Sequence, residues 1–433
     1  MTVPGGPLDC ATILWRRNTS CLTRSVTATR RQLPRLSEIR PLLKFRRPEL
    51  NARRRRLANA HTIEDLRGIA RRRVPRSVFD YVDGAAEQEI SLARARAAFN
   101  RVELHPHVLR DVSSVDTSAD VLGARAALPL VLAPTGFTRM MHHQGELAVA
   151  AAAARADVPY VLSTMGTTDL ESVRACAPAA RQWFQLYLWK DRDASETLVD
   201  RANKAGYEAL VLTVDTPVGG ARMRDVRNGL TIPPALTMRT VAGMAVRPAW
   251  WINALTTEPL RFAAMNSFDG TVEELIGRMF DPTATAEDLT WLREFWPGKL
   301  VIKGIQGVED ARMVVDLGVD ALVVSNHGGR QLDRTPAPLE LLPHVVEAVG
   351  DRCEVLVDTG VRSGADLAAA RAMGASAAMV GRAYLYGLMA AGEPGVDRAL
   401  DILRAEYTRT LQLLGVAGTD ELTAAHACLR PLG

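Results

Sequence analysis

EVLVDTGVRSGADLAAARAMGASAAMVGR, residues 354–382, contains one complete unit of the fold. A short apolar, β-rich run (354–360) passes through polar and glycine residues into an alanine- and leucine-rich helical stretch (363–374), and a second apolar run (377–382) follows. Working upstream, the same phrase recurs at LPLVLAP (128–134), YVLSTM (160–165), QWFQLYL (182–188), ALVLTVD (209–215), LVIKGI (300–305) and ALVVSNH (321–327). Several of these runs are apolar almost throughout, as parallel strands covered on both faces must be. Helix candidates at 145–157, 194–206 and 308–318 lie between them. Eight β-then-α units predict an α/β fold, a closed (β/α)8 barrel.

Strand starts are mostly 20 to 35 residues apart, but 209 to 300 is too long for one structureless loop. Residues 216–290 are therefore expected to be an insertion after strand four. Upstream of the barrel, Ile63, Leu66, Ile69 and Ala70 carry a helical period, and Gly84 interrupts a second helix-like run in FDYVDGAAEQ. These residues predict an N-terminal helical cap at the start of a domain covering 61–433.

Of the 53 Lys and Arg and 49 Asp and Glu, residues 1–60 hold 14 and 3, so a strongly basic head precedes a mildly acidic body. The head is expected to be a partly disordered extension. Its first 29 residues have the Arg, Ser and Thr bias of a transit peptide without the apolar core of a secretory signal. RRRR at 53–56 has no interleaved aromatics, so it reads as a solvated face and no nucleic-acid partner is expected. No apolar run approaches the roughly 20 residues of a membrane span. The five cysteines, Cys10, Cys21, Cys176, Cys353 and Cys428, show no CxxC and no metal spacing, which fits a reducing, cytoplasmic setting and predicts no metal.

In a barrel of this kind the catalytic groups project from the C-terminal ends of the strands. Here those ends are polar: Pro134-Thr135-Gly136, Ser163, Gln185 and Tyr187, Thr213 and Asp215, Lys303, Ser325-Asn326-His327, Asp358-Thr359-Gly360, and Gly381-Arg382. The most specific signal is SNHGGRQLD (325–333), with His327 and Arg330 on a glycine-loosened loop. A histidine serves as a base near neutral pH, and the planar fork of an arginine grips a carboxylate. Spacing alone also allows a satisfied loop histidine beside a surface arginine.

SNHGGRQ resembles the signature of the FMN-dependent 2-hydroxy acid dehydrogenase and oxidase family, which includes glycolate oxidase, mandelate dehydrogenase and L-lactate dehydrogenase. FDYVDGAAEQ, APTGF, FQLY, LTVDTP, KGI, DTGVRSGAD and GRAYLYGL fall in register with it from about residue 61 to about 428, and a looser likeness to actinobacterial L-lactate dehydrogenases begins near residue 31. The resemblance implies FMN as cofactor and oxidation of a small L-2-hydroxy acid, L-lactate to pyruvate, with electrons passed to a quinone-type acceptor. The alternative within the family is an oxidase that uses oxygen on glycolate or a related acid. Outside it, a phosphate-binding lyase or isomerase barrel makes no joint use of Tyr81, Tyr187 and Lys303.

Carried over residue by residue, the resemblance implies His327 as base, oriented by Asp215. It implies Arg330 and Tyr81 as the carboxylate-binding pair, Arg222 as a second active-site arginine, and Tyr187 on the reacting oxygen. Lys303 is placed beside the flavin ring. Ser163, Gln185, Thr213 and the Pro134-Thr135-Gly136 backbone are placed against the same ring. Asp358 and Arg362 match ribityl and phosphate contacts, with Gly360, Gly381 and Arg382 completing the phosphate site. Barrels often bind phosphate after strands seven and eight, which independently points to 358–382.

Gly136 stands where the oxidases have alanine, which favours an acceptor other than oxygen. Met165 stands where glycolate oxidase has tryptophan, so that enzyme's side-chain preference does not carry over. Thr359 replaces a glycine in the phosphate loop. The insertion carries Met238, Met244, Val246, Trp250, Trp251, Ile252, Leu255, Leu260 and Phe262 among Arg239, Arg247 and Arg261. Tryptophan beside arginine suits a peripheral contact with the inner face of the cell membrane. It equally suits a lid or a subunit interface, the family being commonly homotetrameric.

Overall fold

The computed structural model describes residues 33–43, 49–229, 245–263 and 279–431. The chain divides into two units, residues 1–49 and 50–433, the first represented by the short helix Leu36–Ile39. The basic head's first 32 residues, like Met238, Arg239 and Met244 of the insertion, fall outside the described residues. The RRRR run forms the helix Ala52–Ala58, capped by the Asn51 side chain.

Eight parallel strands close into a barrel: β1 (Leu130–Leu132), β2 (Tyr160–Ser163), β3 (Gln182–Leu186), β4 (Ala209–Thr213), β5 (Lys299–Ile305), β6 (Ala321–Val324), β7 (Glu354–Val357) and β8 (Ala377–Val380). β8 returns to β1 through Ala378 opposite Leu130. β2, β3, β4 and β6 are buried at every position, because alternate residues face either the barrel interior or the helical jacket. Val131, Val161, Trp183, Val211, Val301 and Val323 fill the interior. Val121, Leu122 and Ala126, from a hairpin whose strands pair Ala119 with Ala126, join that same cluster. The jacket includes the anticipated helices, observed as Gly145–Ala156, Arg192–Ala205, Val308–Asp316 and Gly364–Ala372.

The N-terminal cap consists of helices Ile63–Arg73, Arg76–Asp83 and Ile90–Asn100. Thr62 and Asp65 form a reciprocal capping box at the first, and Gly84 ends the second. Asp333, the last residue of SNHGGRQLD, accepts the backbone N–H of Gln88, Ile90 and Ser91 at 2.8–3.3 Å and so pins the cap to the β6 loop. Asp83 fixes the cap from inside. Burial alone would raise its carboxyl, but Arg67 at 2.6 Å, Tyr386 at 2.8 Å and Arg224 at 3.1 Å outweigh that and hold it at about 2.

A depressed carboxylate contributes stability that is present above its ordinary pKa, near 3.8, and is lost as pH falls through about 2. Asp83→Asn is therefore expected to cost about 2 kcal/mol at neutral pH. Denaturant melts of both forms at pH 7 and at pH 3 check this, since the gap between them must narrow at the lower pH.

Of the insertion, helices Met223–Asn228 and Pro248–Thr256 are described, and helix Ala286–Phe295 then leads into β5. Trp250 turns inward and donates its indole N–H to the Met140 carbonyl at 2.9 Å, while Val246, Ile252 and Leu255 are exposed. Phe262 packs edge-on against Phe137 with ring centres 4.4 Å apart. Part of the segment thus seals the barrel mouth. No helix among the described residues is long and apolar enough to cross a membrane.

Candidate active site

The C-terminal ends of the strands and the cap helix Arg76–Asp83 enclose one deep cavity. Tyr81, Pro134, Thr135, Gly136, Ser163, Tyr187, Thr213, Arg222, Lys303, His327, Arg330, Asp358, Gly360, Arg362, Gly381 and Arg382 all line it. Asp215 and Gln185 stand one layer back, each bonded to a residue of the wall.

Ladder register places several of these groups. Ser163 lies opposite Gln185, and Thr213 opposite Lys303, at the ends of adjacent strands. Beyond Lys303 the register slips at Gly304, whose φ is +112°. A Cβ there would come within 2.7 Å of the Asp215 Cγ, so only glycine lets the carboxylate lie against β5.

His327 Nδ1 lies 2.9 Å from Asp215 Oδ1, and its backbone N–H bonds the Ser325 hydroxyl at 3.0 Å. His327, Gly328 and Gly329 have φ between +58° and +70°, a left-handed run that turns the imidazole from the end of β6 into the cavity. Burial would raise Asp215, but the neighbouring His327 and Lys303 hold it below the usual carboxylate range. With Nδ1 facing this anion, Nε2 is the ring nitrogen left for a substrate.

Lys303 is buried, with Nζ 2.9 Å from both Asp358 Oδ2 and the Ser325 hydroxyl. Burial would strip its charge; Asp358 and Asp215 reverse this and raise its pKa. Arg330 and Arg222 lie over the Tyr81 ring at 4.9 Å and 5.5 Å from its centre. Burial, together with the charge of Arg222, lowers Arg330 to about 10. Among the described residues it bonds the Tyr81 and Gly84 carbonyls, at 2.5 Å and 3.4 Å. Two guanidiniums at one wall call for an anion between them. Burial raises the Tyr187 hydroxyl, so it stays protonated and able to donate.

Gly136 has a packing reason of its own. A methyl there would meet the Met165 Cβ at 2.8 Å, so the glycine and Met165 form one steric unit, whatever the electron acceptor.

Spacing gave no role to four further residues. Gln331 donates to the Asp215 and Val218 carbonyls at 3.1 Å and 2.9 Å, tying the His327 loop to the start of the insertion. Tyr384 lies 2.6 Å from the Thr135 hydroxyl and donates to the Ala133 carbonyl at 2.8 Å, steadying the β1 loop. Arg96 bonds the Gly360 carbonyl at 2.8 Å. Ser325 joins Lys303 to His327. The signal for Gln331 and Ser325 was their place inside the histidine motif, and for Tyr384 its place inside GRAYLYGL; Arg96 sits on a cap helix and carried none.

A family model for FMN-dependent dehydrogenases matches residues 70–429, and the chain belongs to that family. It is 54% identical to the "Putative L-lactate dehydrogenase" of Mycobacterium tuberculosis, over 94% of this chain and 98% of that protein. It is 44% identical to an L-lactate dehydrogenase of Caulobacter vibrioides, over 81% of this chain and 93% of the other. Among solved structures, the monotopic membrane protein (S)-mandelate dehydrogenase superposes with a TM-score of 0.83 at 37% identity, covering 86% of this chain and all of that one.

The cofactor is FMN, and three features of the cavity suit it. Gln185 accepts from the Ser163 hydroxyl at 3.0 Å, yet its Nε2 is buried without a partner among the described residues, as a donor meant for a ring carbonyl would be. Lys303 supplies a fixed buried cation beside it. Among the described residues the Arg382 guanidinium bonds the carbonyls of Val82, Gly84 and Gly328, at 2.7–2.9 Å, and forms no ion pair, at the N-terminus of helix Arg382–Ala391. A helix N-terminus beside an arginine that forms no ion pair among the described residues is a phosphate position.

Proposed function

We propose that this protein oxidises L-lactate to pyruvate and passes the electrons to a quinone-type acceptor. The observation that carries the reading is His327, backed by the buried Asp215 carboxylate, facing one cavity with Arg330, Arg222 and Tyr187. Bound FMN supplies the two-electron redox chemistry. Ser163, Gln185, Thr213 and the Pro134–Gly136 backbone would hold its ring, Asp358 its ribityl chain, and Arg362, Arg382, Gly360 and Gly381 its phosphate.

The substrate carboxylate lies between Arg330 and Arg222 against Tyr81, and Tyr187 donates to the oxygen on C2. His327 Nε2 then takes a proton from the substrate, and the ionised Asp215 stabilises the imidazolium that results. Lys303 faces the site where negative charge accumulates and, being locked between Asp358 and Ser325, needs no reorganisation to stabilise it. Phe137 and Phe262 help to exclude water at the mouth.

The names of the relatives support lactate and a dehydrogenase. Gly136, explained by Met165, does not by itself decide the acceptor. The exposed Val246, Ile252 and Leu255 support a peripheral contact of the insertion with the inner face of the cell membrane, where a quinone is reached, and the assembly we propose is a homotetramer.

Turnover with L-lactate tests the reading when a soluble quinone analogue and oxygen are compared as acceptors. Quinone reduction at least tenfold faster than peroxide formation is expected. Stoichiometric peroxide production at the rate of lactate consumption would make the protein an oxidase.

A further inference from the structure

Met141 separates the active-site cavity from a second cleft on its far side and lines both. Arg53 and Arg56 face this cleft from helix Ala52–Ala58, Arg73 from the last turn of Ile63–Arg73, and Arg139 from Thr138–Met141, with His142 and His143 following. Among the described residues neither aspartate nor glutamate lines it. Elsewhere the protein pairs its arginines, as with Arg67 to Asp83 and Arg96 to Asp366 at 2.6 Å. Here, among the described residues, the Arg139 side chain bonds only the Glu258 carbonyl, at 2.6 Å. The Arg56 Nε and the His143 Nδ1 are buried with no hydrogen-bond partner among the described residues.

Crowding four guanidiniums with no counter-charge among the described residues is unfavourable, and the histidines register it. Burial first, then His143, Arg53 and Arg73, push His142 down to about 3, and burial with Arg53 and Arg139 lowers His143. An anion with several oxygens answers all of these groups at once, since arginine forks match phosphate and a phosphate oxygen accepts from an unpartnered N–H.

We infer that this cleft is a second anion site that binds a phosphate group, carried either by a small metabolite or by a lipid headgroup. It takes no part in the oxidation described above. Trp250, Asn253 and Ala254 of helix Pro248–Thr256 form its side, and the same helix exposes Ile252 and Leu255. Occupancy therefore ties the basic helix 52–58 to the insertion.

The test uses the FMN-loaded protein, so that the flavin's own phosphate site is filled. Inorganic phosphate is titrated by calorimetry, and sedimentation is measured with vesicles of phosphatidylcholine alone or mixed with phosphatidylglycerol. Phosphate should bind, and the Arg56→Gln/Arg73→Gln variant should bind it at least tenfold more weakly while lactate-driven flavin reduction stays within twofold. If that variant does not fold, Arg53→Gln, on an exposed position, should weaken phosphate at least threefold. Vesicle binding that phosphate competes away and the variant loses identifies a lipid headgroup; phosphate binding without vesicle binding identifies a soluble phosphate compound. Absence of binding to both probes, or equal binding by parent and variant, overturns the site.

Discussion

His327→Ala is expected to keep FMN bound and to lose most substrate-driven flavin reduction. Removing a general base lowers the rate by about 10²- to 10⁴-fold. The cofactor stays because none of the groups assigned to its phosphate depends on the imidazole: Arg382 is held by the carbonyls of Val82, Gly84 and Gly328, and Arg362 by the cap through Glu64 at 3.4 Å. The change also leaves Asp215 buried opposite an apolar methyl, so its carboxyl should rise from its depressed value. Anaerobic stopped-flow at the flavin band measures the rate, and the visible spectrum of the purified variant measures retention. A rate within tenfold of the parent would remove His327 from its proposed role.

Lys303→Met should be the most damaging change to stability. Deleting one member of a buried ion pair strands the other, at a cost of about 3–5 kcal/mol, because the remaining charge has no water to return to. Asp358 would keep only the Thr359 hydroxyl, which lies 2.7 Å from Oδ1. Flavin reduction should slow by roughly 10²-fold or more, as for removal of a preorganised electrostatic contact. The two effects separate in a double variant. Lys303→Met/Asp358→Asn should recover much of the unfolding free energy and little of the reduction rate. Recovery of both would mean that Lys303 acts only as a structural partner of Asp358.

The barrel was legible because parallel strands buried on both faces leave near-continuous apolar runs, and VLVD or LVVS is hard to mistake for amphipathic helix. The polar residue that closes each run was legible for the same reason, since it marks where burial stops. What spacing could not reach is any contact closed by the cap. Tyr81 lies more than 240 residues from Arg330 in sequence, and only the family resemblance joined them before the fold did. Gly304 and Gly136 were invisible as constraints, because a glycine declares its purpose only through the atom a methyl would strike. The insertion was legible as an excess of length, but not in its division of labour. Trp250, which the sequence left equally open to a membrane contact or to a lid or interface, bonds the Met140 carbonyl, while Ile252 and Leu255 lie outside.

One measurement bears most directly on the central claim, that FMN in this cavity is reduced by an L-2-hydroxy acid held between two arginines. The holoenzyme is mixed anaerobically with L-lactate, D-lactate, glycolate or L-mandelate in a single turnover while the flavin band is followed. Full bleaching by L-lactate, with D-lactate at least 10²-fold slower, is the expected result, and Arg330→Lys should weaken the L-lactate response because an ammonium cannot form the two-pronged carboxylate contact. A flavin that none of these acids bleaches, or that both lactate enantiomers bleach equally fast, would contradict the account.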